Sequence, residues 1–164
     1  NGNRFSKLPF ETPEDTNFYS GGGNLISSLN DYANFLGMLL NYGNFKGKQI
    51  LRKESLELIR KKYVKNELIH KMKSFVPFLS NDFDFFQGKK GSWGLGFLIN
   101  DEQSEYGKPR NSLGSYGLFN SFCWIDYQNN ITAILIMQLL PFFDEKAILT
   151  LNNFEKCLYR DCNT

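Results

Sequence analysis

The sequence of 164 residues has no apolar run that approaches the roughly 20 residues needed to cross a bilayer, so no membrane span is expected. Its opening segment, from Asn1, is polar and lacks the pattern of a signal peptide. Because no initiator Met is present, the start at Asn1 suggests a fragment or a processed chain. The compartment stays open.

Cysteine and histidine are both scarce. The three cysteines, Cys123, Cys157 and Cys162, fit no zinc or Cys-X-X-Cys spacing, and their odd number leaves at least one unpaired within the chain. The sole histidine, His70, lies among lysines in a predicted loop, where an exposed or hydrogen-bonded role is favoured over that of a general base. We therefore expect no metal and no cofactor.

A strong charge of either sign is also missing, since the net charge is +2. Phosphate binding needs a clustered basic surface, and one short stretch is the only candidate for it. That stretch contains Arg60, Lys61, Lys62 and Lys65. A solvated helix face explains it better, so no nucleic-acid partner is expected.

Apolar and aromatic residues are abundant, at 41% and 16% of the chain. This composition is that of a folded domain, in which aromatic side chains pack a core or, alternatively, line an apolar cleft. Residues 1–20 form an irregular lead-in and residues 21–63 a helical part. Within the latter, Ser28 and Asp31 predict a capped helix from about Leu29 that ends at Gly43. A second helix is predicted at about Lys53–Tyr63.

Residues 64–90 lack periodicity, contain Pro77 and Gly88, and are rich in Phe, which predicts a long loop that covers a cleft. Residues 91–164 predict three strands and a closing helix. The strands are Trp93–Asn100, Leu118–Ile125 and Ile131–Leu140, of which the last two form an antiparallel hairpin and the last is central. The helix, from about Asp144, should pack Ile148, Leu151 and Phe154 on the sheet. The predicted fold class is α+β, with helices flanking an antiparallel sheet.

Three stretches carry a family resemblance. They are SGGGNLISSLNDYANFLGMLLNYGNFKGKQIL (Ser20–Leu51), WGLGFLIN (Trp93–Asn100) and GSYGLFNSFCWID (Gly114–Asp126). In this order they resemble the serine β-lactamase-like family, which includes class C β-lactamases, penicillin-binding proteins and related esterases. The resemblance implies that residues 1–164 are the C-terminal portion of a single β-lactamase-like domain.

In that family, a Ser-X-X-Lys motif supplies the nucleophile and a Tyr-X-Asn motif helps to activate it, both upstream of the Gly-rich stretch. This sequence contains no Ser-X-X-Lys. Tyr42, Gly43 and Asn44 spell the second motif, but they follow the Gly-rich stretch, where Gly43 as a helix stop explains them better. No nucleophile or catalytic base is therefore assigned within the chain.

The third motif of the family, Lys or His followed by any residue and Gly, corresponds to Ser115, Tyr116 and Gly117. The resemblance implies that this strand lines the substrate cleft and that the backbone N–H of Leu118 donates to an oxyanion. Ser115 replaces the usual cation, and Asn120 replaces a frequent Gly. From the residues alone, a tight strand entry after Gly114 is the favoured explanation of the motif, and it is the resemblance that favours a site. Cys123 lies on a predicted strand, where we expect it to be a small, buried apolar residue.

The leading hypothesis is an acyl-serine hydrolase that acts on an ester, a β-lactam or a D-amino-acid peptide together with an upstream portion. A second is a non-catalytic binding protein that keeps the cleft, and a third is an aromatic-rich interaction module unrelated to hydrolases. Because only three strands are predicted, the open sheet should bind the upstream portion or self-associate.

Overall fold

The structure, a computed structural model, describes residues 5–8, 21–23, 25–64 and 71–161. His70, Lys65, Cys162 and most of the predicted lead-in lie outside these residues. The described elements, in chain order, are α1 (Leu29–Leu40), β1 (Asn44–Phe45), β2 (Lys48–Gln49), α2 (Lys53–Arg60), β3 (Gly91–Trp93), β4 (Leu98–Asn100), β5 (Leu113–Gly117), β6 (Ser121–Asp126), β7 (Ile131–Leu135) and α3 (Glu145–Asp161). None of the helices in these ranges is long and apolar enough to cross a membrane.

The main sheet contains β3 to β7, paired antiparallel in chain order, and β1 and β2 form a separate small hairpin. Helix α1 packs on one face of the sheet and α3 on the other. This arrangement confirms the predicted α+β class with helices on an antiparallel sheet.

Helix α1 begins at Leu29, as its capping residues predict. The Ser28 hydroxyl accepts from the Asp31 backbone N–H at 3.1 Å and donates to the Asp31 carboxylate at 2.7 Å. The helix ends in a turn in which Gly43 has a φ of +84°, and a Cβ there would lie 2.1 Å from the Leu51 carbonyl oxygen. Tyr42 to Asn44 therefore form the turn after α1, and Gly is the residue that this turn accepts.

The two faces of the sheet carry separate cores. On the α1 face, Leu36 and Leu39 pack with the strand residues Ile99, Leu113 and Ile125. On the α3 face, Leu151 and Tyr159 are buried among strand residues that include Phe122, Trp124 and Ala133. Ile148 and Phe154 join this second core, so the predicted stripe of the closing helix is confirmed.

Helix α2 is shorter than the predicted Lys53–Tyr63, because it ends at Arg60. After Arg60 the backbone becomes extended, and the N–H groups of Tyr63 and Val64 both donate to the Trp93 carbonyl, at 2.9 and 3.1 Å. Pairing with β3 therefore replaces the last helical turn.

The predicted strand Trp93–Asn100 is wrong as a single element. It contains a tight turn, in which the Gly94 N–H donates to the Phe97 carbonyl at 2.8 Å and Gly96 has a φ of +81°. Trp93 thus pairs with Leu98 across a hairpin of β3 and β4. Two Gly residues within four positions were the sequence signal for this turn.

The predicted strand Leu118–Ile125 begins too early. Residues 118–120 form a turn, closed by the Asn120 N–H donating to the Gly117 carbonyl at 3.0 Å, and Asn120 has a φ of +59°. β6 begins at Ser121 and pairs with β5, a strand that the sequence pattern did not predict as a separate element. Asn is one of the few residues that tolerate a left-handed backbone, which accounts for Asn120 in place of Gly.

The predicted strand Ile131–Leu140 is confirmed as the antiparallel partner of β6, but it ends at Leu135. Beyond it the Met137 N–H donates to the Ser121 hydroxyl at 3.3 Å, instead of to a strand carbonyl. Among the described strands, β7 is the last of the sheet and not central. The main sheet therefore has five described strands, where three were predicted.

Candidate functional site

A cleft of about 370 Å³ opens between the N-terminal end of α1 and the strands β5 to β7. The Gly-rich entry and the helix cap, Gly22 and Ser28, line one side, while Ser115 and Gly117 of β5 line the other. Two of the stretches that resemble the family thus meet at one cavity, because α1 packs on the sheet, although their nearest lining residues, Tyr32 and Ser115, are 83 positions apart in the chain. We take this cleft as the candidate functional site.

Strand alternation decides which side chains of β5 face the cleft. Ser115 lies opposite Cys123, whose side chain belongs to the α1-side core, so Ser115 points to the cleft side. The ring of Tyr116 packs on the other face, against Phe85 and Phe122 at 5.7 and 5.1 Å between ring centroids. Of the predicted site residues, Leu118 is not among those that line the cleft; it lies in the exposed turn that directly follows the lining residue Gly117.

Gly117 is not required by packing. A Cβ built on it would meet only Ser121, at 3.7 Å, which is ordinary van der Waals contact. By contrast, a Cβ on Gly94 would lie 2.5 Å from the Ile59 carbonyl oxygen. The open space beside Gly117 is therefore available to a molecule in the cleft.

The floor of the cleft contains a Tyr–Cys contact that the sequence pattern did not reveal. The Tyr32 hydroxyl lies 3.7 Å from the Cys123 sulfur, although 91 positions separate them. Burial raises the pKa of the Tyr32 hydroxyl and also that of the Cys123 thiol. Cys123 is 4% exposed, which confirms its prediction as a buried residue, and its raised pKa keeps the thiol protonated and unreactive at neutral pH.

The described residues that line this cleft include no charged side chain. A buried cation, Lys108, lies on the opposite face of the sheet, over the Trp124 ring, and its ammonium pairs with the Glu155 carboxylate at 3.2 Å. Burial alone would lower the pKa of Lys108, but its interactions with Tyr116 and Glu155 outweigh that effect and raise it. Lys108 is therefore charged, and its charge is already compensated.

Two rings of the Phe-rich loop, Phe83 and Phe85, pack in the α3-side core, with Phe142 at 5.2 and 6.4 Å between ring centroids. They therefore fill the face opposite to the cleft. The basic stretch is partly compensated, because Lys62 pairs with Asp101 at 2.5 Å and Arg60 lies 4.1 Å from the centre of the Tyr127 ring.

Comparison with solved structures places this geometry in a known fold. The LovD6 mutant of simvastatin synthase (LovD) from Aspergillus terreus matches with a TM-score of 0.63 at 21% identity, over 80% of this chain and 33% of that chain. Unliganded LovD, as the selenomethionyl derivative, gives 0.62 at 20% identity, over 79% of this chain and 32% of that chain. A penicillin-binding protein homolog from Caulobacter crescentus gives 0.47 at 15% identity, over 74% and 30%.

The chain spans about a third of the length of the LovD structures that it matches. A search of curated protein sequences finds no match. A sequence profile described as Beta-lactamase matches residues 2–155, which is nearly the whole chain. The hypothesis of an aromatic-rich module unrelated to hydrolases is therefore wrong, and the chain belongs to the beta-lactamase family.

Proposed function

We propose that this chain supplies one wall of the substrate cleft of an enzyme that works by acyl-serine chemistry. Its substrate is an ester, a β-lactam or a D-amino-acid peptide, and the acyl group passes to water. The observation that carries the proposal is the strand β5, whose Ser115 and Gly117 border an open cleft at the end of α1. Gly117 leaves room there that its own packing does not use.

In this proposal, a substrate lies along β5 with its carbonyl group near the end of the strand. The absence of a side chain at Gly117 allows close approach to the backbone, and the N–H of Leu118, which follows directly, donates to the oxygen that becomes negative. The serine nucleophile and its Lys and Tyr partners belong to an upstream portion, because no Ser-X-X-Lys occurs in these residues.

The lining of the cleft favours an uncharged ester among these substrates. A bound carboxylate would lose its hydration next to Ser115 without gaining an ion pair from the described lining residues. A neutral acyl group carries no such cost and gains from contact with Ile134 and Ile136.

The first test is covalent labelling with a fluorophosphonate. The 164-residue chain alone should not be labelled and should not hydrolyse β-lactams or simple esters above background. A longer protein that adds upstream Ser-X-X-Lys and Tyr-X-Asn motifs should be labelled at that Ser. Turnover by the pure 164-residue chain, abolished by a point substitution within it, would show that the catalytic group has been misjudged.

The second test uses Gly117→Ala in the longer protein. We expect kcat/KM to fall at least about tenfold, because the methyl group occupies the path of the substrate. The melting temperature should stay unchanged, since the new Cβ meets only ordinary contacts. Gly114→Ala is the matched control, because Gly114 lies in the same strand but outside the cleft lining, and its added Cβ also meets only ordinary contacts, at 3.7 Å. Unchanged kcat/KM in Gly117→Ala would remove β5 from the substrate site.

The second candidate is a non-catalytic binding protein that retains the cleft, and Ser115 in place of a cation is the observation that favours it. The hydrolase and the binding protein predict different results in the labelling experiment. A longer protein with intact upstream motifs that binds a neutral ester reversibly, yet is never labelled, would support the binding protein.

A further inference from the structure

We propose that Asn130 is an acceptor site for an N-linked oligosaccharide. Asn130, Ile131 and Thr132 form the sequence Asn-X-Thr, and no other Asn in the full sequence is followed two positions later by Ser or Thr. This spacing, with X other than Pro, is the acceptor motif for N-glycosylation in the secretory pathway. The proposal is independent of the proposed function.

The fold places this motif where an oligosaccharide can be carried. Asn130 is the last residue of the turn between β6 and β7, its side chain is exposed, and its φ is +58°. Asp126 and Ile131 pair directly on either side of the turn. Exposed turns accept bulky groups because no packed neighbour has to move.

The turn keeps its shape through residues other than Asn130. The Asp126 carboxylate accepts from the backbone N–H groups of Gln128 and Asn129, at 2.9 and 3.0 Å, and from the Asn129 side-chain amide at 2.7 Å. In the described part of the chain, none of the hydrogen bonds that order this turn uses the Asn130 side chain. A sugar attached to the Asn130 amide nitrogen therefore leaves these hydrogen bonds in place.

The covalent step needs a sugar donor, which is an oligosaccharide linked through its first carbon to a polyprenyl diphosphate. The Asn130 amide nitrogen attacks that carbon and forms an N–C bond. The C–O bond to the diphosphate breaks, the lipid diphosphate leaves with the electron pair, and the amide gives up one proton. The Thr132 hydroxyl is the second part of the motif that the transferring enzyme requires.

The position of Asn130 also determines what the oligosaccharide leaves free. Cys123 and Ile134 line the cleft, whereas the turn follows the far end of β6. At about 3.4 Å per residue, the strand from Cys123 to Asp126 alone accounts for roughly 10 Å of separation. The oligosaccharide would thus project next to the start of β7, the last described strand of the sheet, without covering the cleft.

The experiment is expression of the 164-residue chain behind a cleavable signal peptide in cultured eukaryotic cells, with intact mass measured in the lumenal fraction and in the medium. The wild type should carry one oligosaccharide. Thr132→Val keeps a β-branched side chain in β7 but destroys the motif, and should carry none, as should Asn130→Gln. Thr132→Ser keeps the motif and should be modified. Asn153→Gln, at an exposed Asn of α3 outside any motif, should behave as the wild type.

Peptide N-glycosidase should release the oligosaccharide from the native protein and convert Asn130 to Asp, which peptide mass spectrometry can localise. An unmodified Asn130 in the lumenal wild-type chain would overturn the proposal. So would an oligosaccharide retained in Thr132→Val or in Asn130→Gln.

Discussion

Asn120 has two structural roles, one for its backbone and one for its side chain. Its backbone adopts the left-handed conformation that closes the turn between β5 and β6, at a φ of +59°. Its side chain, which is fully buried, donates to the carbonyls of Leu139 and Pro141 at 2.9 and 2.8 Å and accepts from the Phe143 N–H at 2.8 Å. One side chain thus fixes the segment that leads from β7 to α3.

We expect Asn120→Ala to lower the free energy of unfolding by about 2–4 kcal/mol, because it leaves buried polar groups unpaired and puts a Cβ in a left-handed turn. Asn120→Gly should cost about 1 kcal/mol less, since Gly removes the second of these penalties. Urea unfolding of the three proteins measures both values. Equal losses in the two variants would mean that the backbone conformation of this turn carries no cost.

Tyr127 predicts a dependence of stability on alkaline pH. Its hydroxyl donates to the Leu39 carbonyl at 3.1 Å, and burial, opposed by the nearby Arg60, raises the pKa of Tyr127 from 10.0 to about 12. A raised pKa in the folded state gives a contribution to stability that is fully present below pH 10 and is lost as the pH rises towards 12. The unfolded chain ionises first in this range.

Tyr127→Phe should therefore give a shallower fall in the free energy of unfolding between pH 10 and 12 than the wild type shows. Tyr63→Phe, at a tyrosine that is 45% exposed, is the control. Urea unfolding at a series of pH values is the measurement. Parallel curves for wild type and Tyr127→Phe would contradict the assignment.

At the level of elements, long periodic segments could be predicted and short strands could not. Each of α1 and α3 has an apolar stripe and a residue that caps its start, Ser28 for α1 and Asp144 for α3, so local sequence is enough to predict where both helices begin. β3 and β4 have three residues each, too few for a period to show, and the turn between them depends on contacts with Ile59.

The same distinction applies to the candidate site. Ser115 and Gly117 could be proposed from a local motif, because they are neighbours in the chain. The contact of Tyr32 with Cys123 could not, since it forms only when α1 packs on β6. The end of β7 at Leu135 also depends on a distant residue, because the Ser121 hydroxyl takes the bond of the Met137 N–H.

A buried ion pair joins α3 to the loop before β5. Lys108 and Glu155 are 5% and 3% exposed, and their side chains pair at 3.2 Å. The Lys108 ammonium also lies 5.2 Å from the centre of the Trp124 ring. Removing one member of such a pair leaves the other charge buried without compensation.

Lys108→Met should therefore lower the free energy of unfolding by about 3–5 kcal/mol, whereas Lys108→Met with Glu155→Leu should recover most of that loss. Chemical denaturation of the wild type, both single variants and the double variant gives the coupling energy. If the double variant were as unstable as the sum of the singles, the two charges would not be coupled.

For the whole molecule, several apolar side chains on the described surface predict association. Phe75 is 96% exposed and Phe78 is 66% exposed, and β7 presents the uncharged sequence Ile131 to Leu135 at the end of the sheet. An uncharged edge strand beside exposed aromatic residues favours contact with another chain. The sheet has five described strands and not the three that were predicted, so a lack of strands no longer supports self-association. The expectation now rests on the exposed Phe side chains and on the edge strand β7.

Sedimentation at micromolar concentration should show that the isolated chain self-associates, and that Phe75→Ser with Phe78→Ser reduces the associated fraction. Leu149→Ser, at an α3 residue that is 60% exposed, is the control for loss of a single apolar side chain elsewhere. A wild-type chain that stays monomeric at every concentration would remove this surface from consideration.

A hydrogen bond from the Trp124 indole joins helix α3 to the sheet. The Trp124 Nε1–H donates to the Tyr159 hydroxyl at 2.9 Å, and that hydroxyl donates to the Asp126 carboxylate at 3.1 Å. Trp124 is 1% exposed, and the only other tryptophan, Trp93, is partly exposed on β3. In a Trp93→Phe background, the fluorescence of this chain therefore becomes a direct optical signal for α3: a blue-shifted emission while the helix is docked, and a red shift as soon as water reaches the indole.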